Sequence, residues 1–406
     1  MSHLYSLLML FLISTACSSD SSIGPTINNG NEQPTESDPV FYSTDQFVMG
    51  ADLSYVNQIL DHGGTYSVDG NVENPFKIFA DQGTNVVRLR LWHNPEWVKT
   101  DVYEDPNKPL YSGFEDVKNS IEEAKAQGMS VNLDFHYSDI WADPSHQDIP
   151  AAWMDITDLE VLRDSVYNYT FETLQKLDAE GLMPEFVQVG NETNCGMMYT
   201  NAPDNFPPLN GCEGNWENLG AVINSGIQAV RAVSAESDTD AKIILHIAQP
   251  ENAEWWFENI TTNGEVTDFD IIGLSYYSQF SDTPLSGLSS YIQSLRTTFE
   301  KDVMIVETAY PWTLENADNY TNIFGQNSLE SSYSASKDGQ RQYLIDLAQA
   351  VIDGGGSGVM VWEPAWITSN MKDLWGTGSS WENNAFFDFE GELHRGIDFM
   401  TTDYEF

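Results

Sequence analysis

The chain runs to 406 residues, 41% of them apolar and 12% aromatic, which suffices for one large domain or two to three smaller ones with a sizeable core. Lys and Arg number 17 against 62 Asp and Glu, a formal net charge of −45. That balance excludes nucleic acid, an anionic membrane surface and a polyanionic substrate as partners, and it reads as a solvated acidic surface.

Residues 1–17, MSHLYSLLMLFLISTAC, carry a short apolar stretch at 7–13 that reads as the core of an export signal. Cys17 follows Ser14, Thr15 and Ala16, a lipobox-like end in which the cysteine becomes the acylated first residue, although the preceding segment has His3 and no Lys or Arg. Beyond it no apolar run reaches the roughly 18 residues of a membrane span. Residues 18–45 are rich in Ser, Asn, Pro, Gly and acids and are expected to form a flexible tether, leaving 46–406 as the catalytic domain. Export places the chain at the bacterial cell surface or outer membrane through the lipid, or free outside the cell. The remaining cysteines, Cys195 and Cys212, flank a Gly- and Pro-rich loop and are expected to form a disulfide.

From residue 47 onward, β-rich runs alternate with helical stretches. The runs are 47–54, 85–92, 130–136, 186–191, 242–248, 269–277, 302–308 and 358–362. Several are continuously apolar (VVRLRLW, IILHIA, VMIVE, GVMVW), as strands buried on both faces of a parallel sheet are. Helical patterns fill 114–127, 158–180, 216–234 and 337–353, three of them followed by glycine. Eight such units predict an α/β fold, a single (β/α)₈ TIM barrel with enlarged loops. A doubly wound open sheet would carry a Gly-rich turn after its first strand, and MGADLSY has none.

A barrel places its chemistry at the C-terminal ends of strands. Unusual polar residues fall there: Asp52, Arg88, Arg90, Asp134, His136, Asn191, Glu192, His246, Tyr276, Tyr277, Glu307, Trp362 and Glu363. Glu192 closes the fourth run and Glu307 the seventh, and strands 4 and 7 of a closed barrel face each other across the mouth. Two carboxylates there suit glycosidic bond cleavage, one protonated as acid and one ionised as nucleophile. Trp141, Trp312, Trp362 and Trp366 are candidate sugar platforms, and Asp143 and His146 candidate partners for distal hydroxyls. Asn316, Asp318, Tyr320 and Asn322 supply oxygens at every second position, a spacing suited to calcium.

These segments resemble the arabinogalactan endo-β-1,4-galactanases, within the retaining (β/α)₈ glycosidase clan whose catalytic glutamates end strands 4 and 7. The matching stretches are GADLSYVNQI, NVVRLRLWHNP, LDFHYSDIWADP, VQVGNETN, ETAYPWT, VWEPAW and AFFDFEG, spread over residues 50–391. The resemblance implies hydrolysis of β-1,4-galactan, as in pectic side chains, with Glu192 as acid/base and Glu307 as nucleophile. Asn191 would bind the sugar 2-hydroxyl, and Arg90 would hold Glu307 ionised, with Arg88, of the same parity, as second candidate. Asp52, His136, His246 and Tyr276 complete the expected substrate site. Some bacterial members hold calcium between the loops after strands 7 and 8, which implies Ser379 and Glu382 as the second half of the ligand set here. Here Asn316, Tyr320 and Glu382 depart from the usual acid, histidine and aspartate, which lowers the ligand charge. No catalytic cofactor is expected, and the expected partner is the polysaccharide alone, bound by a monomer. The rivals are a clan enzyme acting on β-1,4-glucan or mannan, a non-catalytic glycan-binding barrel, and a metal-dependent barrel hydrolase, against which the 7 His and the absence of an HxH pair on the first strand weigh.

Overall fold

The computed structural model describes residues 38–406; the export signal, Cys17 and most of the expected tether lie outside them. Eight parallel strands close a barrel: β1 Val48–Asp52, β2 Val86–Leu91, β3 Ser130–Phe135, β4 Phe186–Val189, β5 Lys242–Ala248, β6 Ile271–Ser275, β7 Asp302–Glu307 and β8 Gly358–Val361. Each strand pairs with its sequence neighbours, and β1 closes the ring against β8. That closure needs a close approach, because a Cβ on Gly50 would lie 2.4 Å from Met360 Cγ.

The helices are α1 Val56–Asp61, α2 Pro75–Asp81, α3 Phe114–Ala126, α4 Leu159–Ala179, α5 Trp216–Ser234, α6 Pro250–Thr262, α7 Leu285–Phe299 and α8 Lys337–Asp353. Local chemistry fixes several starts. Asn74, Asp158 and Ser336 cap α2, α4 and α8 with side-chain oxygens on the first free N–H groups, and Pro75 opens α2.

Two cores result. Apolar strand faces pack outward against the helices, while Val48, Val86, Phe186, Ile244, Ile271, Met304, Val306 and Met360 form a separate cluster. Their positions on seven of the strands plug the barrel interior. Two residues further along β2 and β4 the plug gives way to Arg88 and Gln188, both buried, so the polar layer sits on an incompressible floor.

Residues 40–45, expected within the tether, are held against the barrel. Val40 N–H donates to Thr401 O (2.9 Å), and Tyr42 donates from its hydroxyl to Thr402 O (2.8 Å) and packs on Tyr404. Residues 40–45 therefore belong to the barrel, because Tyr42 has an aromatic partner that composition alone does not reveal. Cys195 and Cys212 are joined by a disulfide, closing the loop that begins directly after β4. No helix among the described residues is long and apolar enough to cross a membrane.

Candidate active site

Above the plug, one cation organises the layer. Arg88 is 1% exposed. Its guanidinium lies 2.8 Å from each of Asp52 Oδ2, Asp134 Oδ2 and Glu307 Oε1. It also donates to Gln188 Oε1 (2.9 Å) and Asn191 Oδ1 (2.8 Å). All its partners come from the ends of β1, β3, β4 and β7, so one fork ties half the barrel mouth together.

Glu307 is thus ion-paired with Arg88, and Tyr277 donates its hydroxyl to Glu307 Oε2 (3.1 Å). A register shift at Leu274/Ser275 sets Ser275 opposite Glu307, a bulge of the kind that re-aims side chains at sites. Burial pushes the Glu307 carboxyl up to about 7, against the pull of Arg88. Glu192 follows β4 through Gly190 (φ 90°), and its own φ of 46° is left-handed, a strained conformation of the kind found at functional sites. It has no arginine partner. Burial and the charge of Glu307 push its carboxyl well above the usual range. Glu192 therefore keeps its proton in a range where Glu307 loses its own.

The polar residues behind Glu192 form a hydrogen-bonded chain. Glu192 Oε1 lies 2.5 Å from Ser275 Oγ, which lies 2.8 Å from His246 Nε2, and His246 Nδ1 lies 2.8 Å from Asn191 Oδ1. Burial and Arg88 hold His246 neutral, well below its ordinary value. His246 bonds Ser275 through Nε2 and Asn191 through Nδ1, and Ser275 donates its hydroxyl to Glu192 Oε1, a bond that opposes burial and the Glu307 charge without cancelling them. Asn191 donates one Nδ2 hydrogen to Ala142 O (2.7 Å), which leaves the other.

Both carboxylates and Asn191 open on one cleft of about 670 Å³, lined also by Tyr55, Trp141, Asp143, Tyr277, Phe280, Trp362, Trp366, Trp375 and Trp381. Aromatic faces beside two acids can hold a sugar chain across them.

Several expected residues stand elsewhere. Arg90 does not touch Glu307; it pairs with Glu363 (2.8 Å). Both arginines point inward, but Arg90 is two residues nearer the rim, where Tyr55, Trp92 and Trp141 surround it. Asp52 serves Arg88 and does not line the cleft. His136 is buried against Asp134 (3.0 Å) and accepts from Trp92 or Ala142 N–H. His246 also lies behind the cleft wall. Tyr276 turns to the opposite side of β6, where its hydroxyl donates to Thr283 O (3.0 Å); Tyr277 takes the cleft position. Trp312 packs on Phe389 and His394, away from the cleft. His146 bonds Asp143 (2.8 Å) and is mostly exposed. Tyr55, an aromatic just past a strand end, was open to the reasoning that found the tryptophans. Phe280 and Trp375 sit on loops with no local signal.

The proposed calcium ligands partly converge. Asn316 Oδ1 accepts from Asn322 N–H (3.1 Å), Asn322 Nδ2 donates to Glu382 Oε1 (3.2 Å), and Asp318 Oδ2 accepts from Ser379 N–H (2.9 Å). Two buried acceptors there, Glu382 Oε2 and Asn322 Oδ1, have no partner. Burial, with the nearby Asp318 charge, pushes Glu382 up to about 7. The side chains of Tyr320 and Ser379 are committed elsewhere, to Asp373 (2.9 Å) and Trp366 O (2.7 Å). Among the described residues no three His, Cys, Asp or Glu side chains gather in a metal-binding group.

The model of glycosyl hydrolase family 53 matches residues 48–400. An arabinogalactan endo-β-1,4-galactanase of Cellvibrio japonicus is 47% identical over 342 residues, covering 84% of this chain and 86% of that one. An endo-β-1,4-galactanase of Bacillus subtilis is 33% identical over 361 residues, covering 85% and 78%. The solved family 53 catalytic domain from Ignisphaera aggregans superposes with a TM-score of 0.79 at 30% identity, over 92% of this chain and all (100%) of that one.

The Tyr277 hydroxyl is one of the groups that hold Glu307 down, so Tyr277→Phe is expected to raise the Glu307 pKa. The acid limb of the kcat/KM profile then moves to higher pH, by about one unit or less. A pH profile of the variant checks this; an unchanged or downward-shifted acid limb contradicts it.

Proposed function

The chain belongs to glycosyl hydrolase family 53, and from that membership we propose that it is an endo-β-1,4-galactanase working by double displacement with retention. The observation that carries the reading is the electrostatic asymmetry of two carboxyl groups on one aromatic cleft: Glu307 is bound to Arg88 and Glu192 is not.

Glu192 gives its proton to the glycosidic oxygen as that bond breaks, and Glu307 attacks the anomeric carbon to form a glycosyl ester. As Glu192 loses its proton and Glu307 becomes a neutral ester, the one negative charge passes from Glu307 to Glu192, and Arg88 keeps its pairs with Asp52 and Asp134. Water then enters; Glu192 takes its proton while the water oxygen attacks the anomeric carbon and Glu307 departs as carboxylate. Each atom returns to its starting state. The remaining Asn191 Nδ2 hydrogen is available to the sugar 2-hydroxyl, an interaction that strengthens in the oxocarbenium-like transition state. Trp141, Trp362 and Trp366 offer apolar faces to the C–H face of the sugars, and Asp143 an acceptor at the cleft edge.

Proton NMR of potato-type galactan during hydrolysis is expected to show the β-anomer first; an α-anomer first, or activity confined to β-glucan or β-mannan, overturns the reading. Glu192→Gln and Glu307→Gln are each expected to lower turnover by orders of magnitude. Azide is expected to rescue only the Glu192 variant, on a substrate with a good leaving group. Near-full activity of Glu307→Gln contradicts the assignment.

Calcium is proposed as a structural ion, held by Asp318, Asn322 and Glu382, with Asn316 and the Tyr320 carbonyl. The two unpartnered acceptors there support it. Bound to the folded loops alone it would join the segments after β7 and β8 and raise the melting temperature, by about 2.7 kcal/mol of stability at a hundredfold excess over Kd. EDTA is expected to lower the melting temperature while activity at moderate temperature stays mostly intact. Immediate, calcium-reversible loss of activity in still-folded protein contradicts this role, and no thermal shift removes the site.

We also propose export, with Cys17 as the lipidated anchor at the cell surface. Metabolic labelling with radioactive palmitate is expected to mark the wild-type chain and not Cys17→Ala. Equal absence of label from both overturns the lipid anchor.

A further inference from the structure

Arg90 and Glu363 are both buried, and neither lines the cleft. Arg88 acts on both catalytic carboxyls, whereas Arg90 is absent from the main charge influences on either. A buried ion pair is costly, and this one has no part in the chemistry above. Its contacts are with the cleft's aromatic side. The Arg90 guanidinium carbon lies 4.3 Å from the centre of the Tyr55 ring and 4.2 Å from that of Trp141. Glu363 grips the opposite end: Oε1 takes Arg90 Nη1 (2.8 Å) while Oε2 accepts the Tyr55 backbone N–H (3.3 Å). Tyr55 packs on Trp366 with centroids 4.4 Å apart, and Trp141 on Trp362 at 5.7 Å. Four aromatics that face the groove are therefore keyed, directly or through one neighbour, to a single cation. A cation fixes ring orientation through the ring quadrupole in a way an aliphatic side chain does not.

Tyr55 has one more property. Its ring is 3% exposed, it lines the cleft, and its buried hydroxyl has no hydrogen-bond partner. A buried hydroxyl without a partner is costly, and at a cleft wall the group that would satisfy it is one brought by the ligand.

We propose that the Arg90–Glu363 pair is a positioning device for this aromatic floor, and that Tyr55, held by it, is a galactan-contacting residue whose hydroxyl bonds a sugar hydroxyl. The inference rests on the galactanase reading for the ligand's identity. It assigns the pair to affinity for the chain and leaves bond cleavage to Glu192 and Glu307.

The test joins kinetics on linear β-1,4-galactan with calorimetric binding of β-1,4-galactotetraose in a Glu192→Gln background. Tyr55→Phe and Glu363→Gln are each expected to raise KM and Kd about five- to tenfold, with kcat falling less than about threefold. The double variant is expected to lose less than the product of the two, because both act through one ring. Unchanged KM and Kd in either variant, or a fall in kcat at constant KM, overturns the proposal. If Glu363→Gln does not accumulate folded, Ser112→Ala replaces it. That change removes only the acceptor of Arg90 Nε–H (3.1 Å) and is expected to raise Kd about twofold or more; an unchanged Kd overturns the proposal equally. A wild-type chain that binds the tetraose without cleaving galactan removes the activity reading and leaves this test standing.

Discussion

The site depends on a positive charge that water cannot reach. Arg88 is buried beneath the cleft and meets three carboxylates, of Asp52, Asp134 and Glu307, each at 2.8 Å. A buried guanidinium is costly unless it is paired and hydrogen-bonded, and here Gln188 and Asn191 accept from it as well. The surplus of negative charge around it holds the arginine protonated throughout. Everything else at the site follows from which groups reach it. Glu307 reaches it and can ionise. Glu192 forms no ion pair with it and feels it only at a distance; buried and facing the Glu307 charge, it holds its proton.

The two arginines of β2 divide the labour of the barrel mouth. Arg88 works on the acids and on Asn191, and so on the electrostatics of bond cleavage. Arg90, two residues nearer the rim, has one carboxylate and three rings for company. A single strand thereby supplies one cation to the paired acids and another to the aromatic wall of the cleft. The two arginines share no direct ion pair; Asp52, paired with Arg88 and bonded by Ser54, whose Oγ accepts the Arg90 backbone N–H, is the link between them.

Much of this was legible in the chain. The helices at Trp216–Ser234 and Lys337–Asp353 coincide with the spans read from the helical pattern, the second also from the glycines that follow it. The glutamates at the ends of β4 and β7 meet on one cleft because a closed barrel leaves them no other place to go. The misses have specific physical causes. Arg88 and Arg90 share a parity, so alternation cannot say which reaches Glu307; side-chain reach and the neighbouring rings decide it. Tyr276 and Tyr277 are adjacent, and a bulge at the end of β6 sets which faces inward. Tyr42 binds to the barrel through Tyr404, some 360 residues away in sequence, and no local signal reports such a contact. Trp312 has the loop position of a platform and packs instead against the last turns of the chain.

The account stands most directly on the assignment of Glu307 as the group that bonds the sugar. A 2-deoxy-2-fluoro-β-1,4-galactobioside with a good leaving group slows breakdown of the glycosyl ester enough for it to accumulate. Peptide mass spectrometry of the inactivated protein is predicted to find one disaccharide adduct, on Glu307. An adduct on Glu192, or unimpaired turnover with no adduct, would contradict the account.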